Sequence, residues 1–207
     1  MATKKFGYTA NNPNYIGWVL AAKGTVIGLH ANMPENGKLV SIKMKLGRYS
    51  SSNHPVVWGA VYNRSTSARL ALSGSQSPTN IATGTSGLQD FTFNFNKEFI
   101  SGGTPLIVGF ARDSQVNKGL VFGFRTAAGG YTAVMDGTFS SPPNTYSESY
   151  RWSQVSSDSL WVEVTYETGG EVKVWTGSSF VSKPAKVNNV AKPVKTFKNG
   201  SWVESNS

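Results

Sequence analysis

The stretch Thr104–Arg125, TPLIVGFARDSQVNKGLVFGFR, decides the fold of this 207-residue chain. Leu106–Ala111 is a short run of branched and aromatic residues, and Leu120–Phe124 alternates large apolar side chains with smaller residues. Both patterns are typical of buried strands, and the polar residues between them predict a turn that joins two adjacent strands. The sequence therefore predicts a β-structure centred on this stretch.

A third strand with one aromatic face comes just before this stretch. Its phenylalanines alternate with Thr and Asn residues, which places the rings on one side of a strand. We expect six rings to meet in the middle of a β-sandwich: Phe91, Phe93, Phe95, Phe110, Phe122 and Phe124.

The rest of the chain supports an all-β fold. About ten segments have strand patterns, and no window has helical periodicity. Val40, Ile42, Met44 and Leu46 alternate with polar residues in the clearest half-buried strand, and its lysines are expected to face solvent. The sequence predicts an antiparallel two-sheet β-sandwich of jelly-roll type with a C-terminal β-hairpin repeat appendage.

Turn residues suggest which strands are neighbours. Tyr15–Ala21 and Thr25–His30 flank a tight turn, and Tyr131–Met135 is expected to pair with Leu120–Arg125 because a Gly-rich segment separates them. Residues 1–14 predict an arm or an edge segment. Ser73–Gly87, without periodicity, predicts a surface loop that crosses between the sheets.

A domain boundary is expected at Gly169-Gly170, between a sandwich of residues 1–168 and a basic hairpin-repeat tail of residues 169–207. In the tail, Lys173–Val181 is echoed by Lys195–Val203, each with an aromatic residue on either side of a Gly/Asn/Ser turn. Each copy predicts a short hairpin with rings facing each other across the strands. The middle copy, residues 186–191, has no aromatic residue.

These repeats carry a resemblance to a known family. The Lys-Pro-x-Lys spacing and the aromatic–turn–aromatic unit recur together, and they resemble the tandem KPVKVWNGSAWV-type repeats at the ends of minor tail proteins from phages that infect actinobacteria. The chain departs from that pattern at Phe180 and Phe197, where tryptophan is more usual. The sandwich is similar in style to the jelly-roll binding modules of phage virion proteins.

Composition and charge exclude several classes of protein. The absence of cysteine excludes disulfides, thiolate catalysis and zinc sites built on sulfur. No apolar run approaches the roughly 20 residues that span a bilayer, so we expect no membrane insertion. We expect the protein to be synthesised in the host cytoplasm.

The charge of +9 divides into +5 for residues 1–168 and +4 for residues 169–207. Dispersed lysines match a phosphate-tracking groove poorly, so no nucleic-acid partner is expected.

The residues needed for catalysis are sparse. The chain has two histidines, His30 and His54, no GxSxG motif, and eleven scattered acids with no close pair on one strand face. The sequence therefore predicts that the protein is not an enzyme and has no metal or other cofactor. A calcium ion held by loop carbonyls and either Asp113 or Asp158 is the remaining metal alternative.

Two groups of residues could bind carbohydrate, because exposed rings stack on sugar faces while nearby polar groups hold the hydroxyls. The Tyr49 cluster consists of Tyr49, Asn53 and His54, beside Trp58 and Tyr62. The Tyr150 cluster consists of Tyr146, Tyr150, Arg151 and Trp152, with Asn144. The Tyr150 cluster is preferred because three rings in a Pro- and Ser-rich loop are hard to bury together. The structural alternative is that Trp58 and Trp161 are core rings and that the loop tyrosines cap the sandwich.

The resemblance implies a structural protein of the phage virion, a minor tail protein that binds the host cell surface or carbohydrate without catalysis and contacts other virion proteins. One alternative is a capsid decoration protein on the head exterior. Another is a carbohydrate-active enzyme or its accessory module. We expect a homo-oligomer, with a trimer favoured, because hairpins too small to be stable alone need a partner.

Overall fold

The computed structural model of the chain is almost entirely β-structure. It describes residues 2–9, 12–19, 24–50, 54–113, 119–126, 131–136, 141–145, 151–155, 158–168, 171–175, 180–184, 194–198 and 201–205. Backbone alone is described at residues 18, 19, 24, 125, 126, 131–136, 151–155 and 158, and in the strands beyond residue 170.

The described residues contain eighteen strands and one helical element, a 3₁₀ turn at Thr85–Gly87. The strands are β1 Ala2–Tyr8, β2 Tyr15–Val19, β3 Gly24–Asn32, β4 Gly37–Arg48, β5 Val57–Asn63, β6 Arg69–Gln76, β7 Gln89–Asn94, β8 Phe99–Ile100, β9 Pro105–Arg112, β10 Leu120–Thr126, β11 Tyr131–Asp136, β12 Arg151–Val155, β13 Asp158–Leu160, β14 Val162–Thr168, β15 Glu171–Trp175, β16 Phe180–Pro184, β17 Val194–Lys198 and β18 Ser201–Ser205. In this part of the chain no helix has the length and apolar character to cross a bilayer.

The chain divides into two compact units, Met1–Gly169 and Gly170–Ser207. The first unit contains two antiparallel sheets. Sheet 1 is organised around β4, which pairs with β14 and β10 along one edge and with β7 and β8 along the other. β14 pairs in turn with β1, and β10 with β2 and β13. The N-terminal segment is thus an edge strand, as predicted.

A bulge in β4 corrects the predicted alternation. Thr165 pairs with Ser41 and Tyr166 pairs with Leu39, which leaves Val40 as an extra residue. As a result Leu39, Ile42 and the two apolar positions after it are fully buried, whereas Val40 is only partly buried. The alternation in the sequence had placed Val40 in the core with its neighbours. That placement is wrong because a bulge leaves no periodic signal in the sequence.

Sheet 2 has the strand order β12-β11-β3-β9-β5-β6. At its centre Gly28 of β3 lies directly opposite Gly109 of β9. A Cβ atom on Gly109 would lie 2.1 Å from the carbonyl oxygen of Ile27, so the backbones approach too closely for any other residue.

The main core lies between the sheets and confirms the predicted meeting of six rings. Phe93, Phe95, Phe110 and Phe122 are buried in it, and Phe91 and Phe124 pack against it. The rings of Phe110 in sheet 2 and Phe122 in sheet 1 have centroids 5.4 Å apart. The core therefore joins the two sheets through aromatic contacts as well as branched aliphatic ones.

Strands that follow one another in sequence often belong to different sheets. β2 lies in sheet 1 and β3 in sheet 2, and the chain crosses again from β9 to β10 and from β10 to β11. The predicted adjacency of β9 and β10 and the predicted pairing of β10 with β11 are therefore wrong. β11 pairs with β3 and β12 instead. Gly- and Asn-containing connections look alike in sequence whether they turn within a sheet or cross to the other one.

Two smaller clusters cover the outer faces of the sheets. On sheet 2, Tyr62 is buried with Ile107, and its hydroxyl donates a hydrogen bond to the carbonyl oxygen of Pro143 at 3.0 Å. On sheet 1, Ala82 and Leu88 cover Val121. The segment between β6 and β7 that supplies Ala82 and Leu88 crosses from sheet 2 to sheet 1, as predicted. The predicted loop began too early, since Ser73–Gln76 belong to β6, and Ala82 is buried, not on the surface.

The second unit contains two separate antiparallel strand pairs within its described residues. β15 pairs with β16, and Trp175 is opposite Phe180. β17 pairs with β18, and Phe197 is opposite Trp202. The middle repeat lies outside the described residues.

Candidate functional site

Several strand connections meet at one end of the sandwich. β4 ends beside the start of β10, since Arg48 pairs with Leu120 and the Tyr49 amide donates to the Gly119 carbonyl oxygen at 3.0 Å. β5 starts beside the end of β9, since the Asp113 amide donates to the Val56 carbonyl oxygen at 3.2 Å. We call this region, where β4 and β9 end, the loop end.

Tyr49 is the exposed ring at the loop end. Its backbone is held by the hydrogen bond to Gly119, while its side chain remains 52% exposed. Ile81 is 47% exposed and is carried to the same place by a parallel bridge with Arg48. A fixed backbone that presents an exposed ring and an exposed aliphatic side chain is suited to holding a flat, partly apolar ligand.

Arg48 and His54 supply polar groups beside Tyr49. The Arg48 Nη1 atom lies 3.0 Å from His54 Nε2, and His54 is exposed. An arginine can only donate, so Nε2 of His54 is the acceptor in this contact.

A buried arginine lies at the end of β9. Arg112 is fully buried at the end of β9, opposite Val57, and Asp113 is 4% exposed. Burial lowers the pKa of the Arg112 guanidinium below its ordinary value, and the charge of Asp113 opposes that shift. Arg112 stays charged at neutral pH, because a guanidinium does not lose its proton in proteins. The end of β9 therefore holds a buried positive charge next to Asp113.

Tyr62, another predicted member of the Tyr49 cluster, lies away from the loop end. It is fully buried near the end of β5, and its hydroxyl donates to the Pro143 carbonyl oxygen. Trp58 is partly buried near the start of β5 and pairs with Ala111. Asn53 lies outside the described residues. The structure thus places His54 against Arg48, the residue before Tyr49, and separates Tyr62 from them.

Most of the Tyr150 cluster lies beyond what the structure describes. Tyr146 and Tyr150 are outside the described residues, and Arg151 and Trp152 are placed only as the backbone at the start of β12. Arg69 holds the segment before them: its amide donates to the Asn144 carbonyl oxygen at 2.7 Å, and its guanidinium donates to the Asn144 side-chain oxygen and the Pro142 carbonyl oxygen. The cluster stays a prediction.

Trp161 is buried, but under lysines on the outer side of sheet 1. The Nζ atoms of Lys43 and Lys45 lie 5.6 and 5.1 Å from its ring centroid. Lys43 also lies 3.9 Å from a carboxylate oxygen of Asp90 and 3.8 Å from one of Glu163. The lysine face of β4, predicted to face solvent, is therefore an ion-paired surface that covers the Trp161 ring.

Asp90 and Glu163 form a pair of neighbouring acids that the sequence did not reveal. They come from β7 and β14, on either side of β4, and only the strand register brings them to the same lysine. Asp90 also pairs with Lys45 at 2.8 Å, and Glu163 with Lys5 at 2.9 Å. Both carboxylates are engaged with lysines on an open strand face, which is typical of a structural ion-pair network.

Comparisons with known proteins add no family to these observations. Among the described residues, no group of three or more His, Asp or Glu side chains is placed to hold a metal ion. No protein-family model matches the chain, and no curated protein matches it significantly.

Arg48 and Ile81 are the members of the loop end that the sequence did not predict. Arg48 lies at the end of an alternating strand, where a single charged residue gives no signal of a binding site. Ile81 could have been noticed, because it is an isolated large apolar residue in a segment of Ser, Thr, Gly and Asn. Its closeness to Arg48 depends on a bridge between residues 33 positions apart, which has no local signal.

Proposed function

We propose that this protein is a non-catalytic structural protein of a phage virion, a minor tail protein whose jelly-roll sandwich binds carbohydrate on the host cell surface. The observation that carries the proposal is the half-exposed ring of Tyr49 on an anchored backbone, beside the Arg48–His54 hydrogen bond. A sugar ring could stack on Tyr49 while the two polar side chains hold its hydroxyls.

The architecture supports binding better than catalysis. Core residues of both sheets fix the strands from which the loop end emerges, so the ligand-holding groups are placed on a rigid frame. Asp90 and Glu163, which share Lys43, are ion-paired on a strand face of sheet 1 and are not at the loop end. The resemblance of the tail to actinobacteriophage repeats supports a place in a virion.

Binding to isolated cell walls of an actinobacterial host tests the carbohydrate part of the proposal. We expect the fluorescently labelled protein to bind the walls and Y49A to bind at least about tenfold more weakly, since a central ring anchor is worth more than about 1.4 kcal/mol. F99A is the matched control, because Phe99 is 48% exposed on β8 and away from the loop end.

The same experiment compares the two predicted clusters. If Y150A/W152A loses binding while Y49A retains it, the site is the Tyr150 cluster and the loop-end assignment is wrong. Immunogold labelling of virions tests the location. Label on the tail supports a minor tail protein, and label on the head exterior would instead indicate a capsid decoration protein.

A further inference from the structure

The connection between β6 and β7 fixes the backbone on both sides of Ile81. The Arg48 amide donates to the Asn80 carbonyl oxygen at 2.9 Å, and the Ala82 amide donates to the Arg48 carbonyl oxygen at 3.0 Å. The side-chain amide of Asn80 donates to the Gly87 carbonyl oxygen at 2.6 Å, and Ala82 is buried. Ile81 itself is 47% exposed. An aliphatic side chain is therefore held in solvent at a fixed position.

Arg48 is the partner of Ile81 in the parallel bridge. Residues paired in a bridge lie side by side and carry their side chains on the same face. Arg48 is partly exposed, and its Nη1 atom lies 3.0 Å from His54 Nε2. A guanidinium has five N–H donors in one plane, so it can donate to a ligand oxygen as well as to His54. The Arg48–Ile81 pair thus combines N–H donors with an apolar surface.

Tyr49 places an aromatic ring next to this pair. It follows Arg48 directly, so the two Cα atoms are about 3.8 Å apart, and its ring is half exposed. A sugar stacked on Tyr49 has substituents within reach of Arg48 and Ile81. The substituent that fits best has a carbonyl oxygen to accept from the guanidinium and a methyl group to cover the isoleucine. An acetamido group has both.

Three other substituents of sugars fit less well. A carboxylate would accept from Arg48, but packing it against Ile81 would cost part of its hydration. An ammonium group can only donate hydrogen bonds, as can the guanidinium, and the two like charges repel. A hydroxyl would accept from Arg48 and leave Ile81 uncovered. The pair therefore favours the acetamido group over each of the three.

We propose that the loop end selects N-acetylated amino sugars. The sugar ring stacks on Tyr49, the acetamido methyl group packs on Ile81, and the acetamido oxygen accepts a hydrogen bond from Arg48. This inference rests on the proposed binding of carbohydrate at the loop end, and it narrows that ligand to one class of sugar. Ile81 lies outside the three buried clusters, so its replacement should change specificity without unfolding the protein.

The test is calorimetric titration of the full-length protein with three oligosaccharides of equal length and linkage: chitotetraose, its fully deacetylated form and cellotetraose. They differ only at C2 of each sugar unit, which carries an acetamido group, an amino or ammonium group, or a hydroxyl. We expect chitotetraose to bind at least about tenfold more tightly than either of the others, because each of them lacks a group for which the site supplies a contact.

Two variants separate recognition of the acetamido group from folding. I81S and R48M should each weaken the binding of chitotetraose by at least about fivefold, because one removes the apolar surface and the other the N–H donors. F99A is the control for an exposed apolar residue. R64M is the control for a partly exposed arginine, because Arg64 follows β5 at the opposite end of the sandwich. Neither control should change the affinity, and I81S should keep the urea midpoint of the wild type.

The inference is overturned if chitotetraose is not bound, if cellotetraose or the deacetylated oligomer is bound as tightly, or if I81S binds chitotetraose like the wild type. Tighter binding of polygalacturonate than of chitotetraose would also overturn it, because the ligand would then be anionic. In these cases a loss of cell-wall binding in Y49A would still support the proposed function. Cell-wall binding that Y49A leaves unchanged would refute the proposed function at the loop end, and this inference with it.

Discussion

At the residue scale, glycine is required where the central strands of sheet 2 approach most closely. An added Cβ on Gly109 would lie 2.1 Å from a backbone oxygen, and backbone cannot move aside as a side chain can. We predict that G109A lowers the free energy of unfolding by about 1–3 kcal/mol, as overpacking does. G74A is the matched control, because no atom lies within 4 Å of its added Cβ and it should be neutral in urea denaturation.

Arg112 is the second residue whose replacement should be costly. R112M conserves much of the volume but leaves the largely buried carboxylate of Asp113 without its neighbouring cation. We predict a loss of about 3–5 kcal/mol in the free energy of unfolding, partly recovered in R112M/D113N. K97M removes an exposed ion pair with Glu167 and should cost less than about 1 kcal/mol. Equal effects of R112M and K97M in urea titrations would show that the buried charge is not important.

At the element scale, β1 is attached to the sandwich by a small polar contact as well as by its pairing with β14. Lys4 Nζ donates to Glu35 Oε1 at 2.6 Å, and the Tyr166 hydroxyl donates to the same oxygen at 3.0 Å. These two hydrogen bonds, that of Lys4 first, lower the pKa of Glu35 below its ordinary value of 4.5. The contact is therefore strongest when Glu35 is ionised.

The sign of the pH dependence follows from that lowered pKa. The stabilisation by Glu35 is fully present above its ordinary pKa and is lost as the pH falls through the lowered value. We predict that the wild type has a higher urea midpoint than E35Q near neutral pH and that the difference shrinks as the pH falls below 4.5, with a smaller effect in high salt. A difference that is the same at all pH values would contradict this assignment.

At the scale of the whole molecule, the buried clusters of the first unit use only residues of that unit. Their described members run from Val26 to Tyr166, before the boundary at Gly169. We predict that a chain ending at Gly169 keeps the β-type circular dichroism spectrum and the urea midpoint of the full-length protein. A midpoint lowered by a large fraction of its value would show that the tail is needed for folding of the sandwich.

The sequence predicted the contents of the core better than the order of the strands. The alternation at Phe91–Phe95 and in Thr104–Arg125 is a local signal of burial, and all six rings lie in or against the core. Pairing was missed at β10 and β11 because a crossing between sheets and a turn within one use the same residue types. The loop end was predicted only in part. Tyr49 and His54 are close in sequence, but Ile81 joins the loop end through a bridge with Arg48, 33 positions earlier. Tyr62 is buried, and its hydroxyl binds the carbonyl oxygen of Pro143, 81 positions later.

Calorimetric titration with soluble fragments of actinobacterial cell wall tests the proposed binding function most directly. We predict that the wild type and F99A bind with equal affinity, that Y49A binds at least about tenfold more weakly, and that mass spectrometry finds the fragments unchanged afterwards. Undiminished binding by Y49A, or cleavage of the fragments by the wild type, would contradict a non-catalytic binding protein that acts through Tyr49.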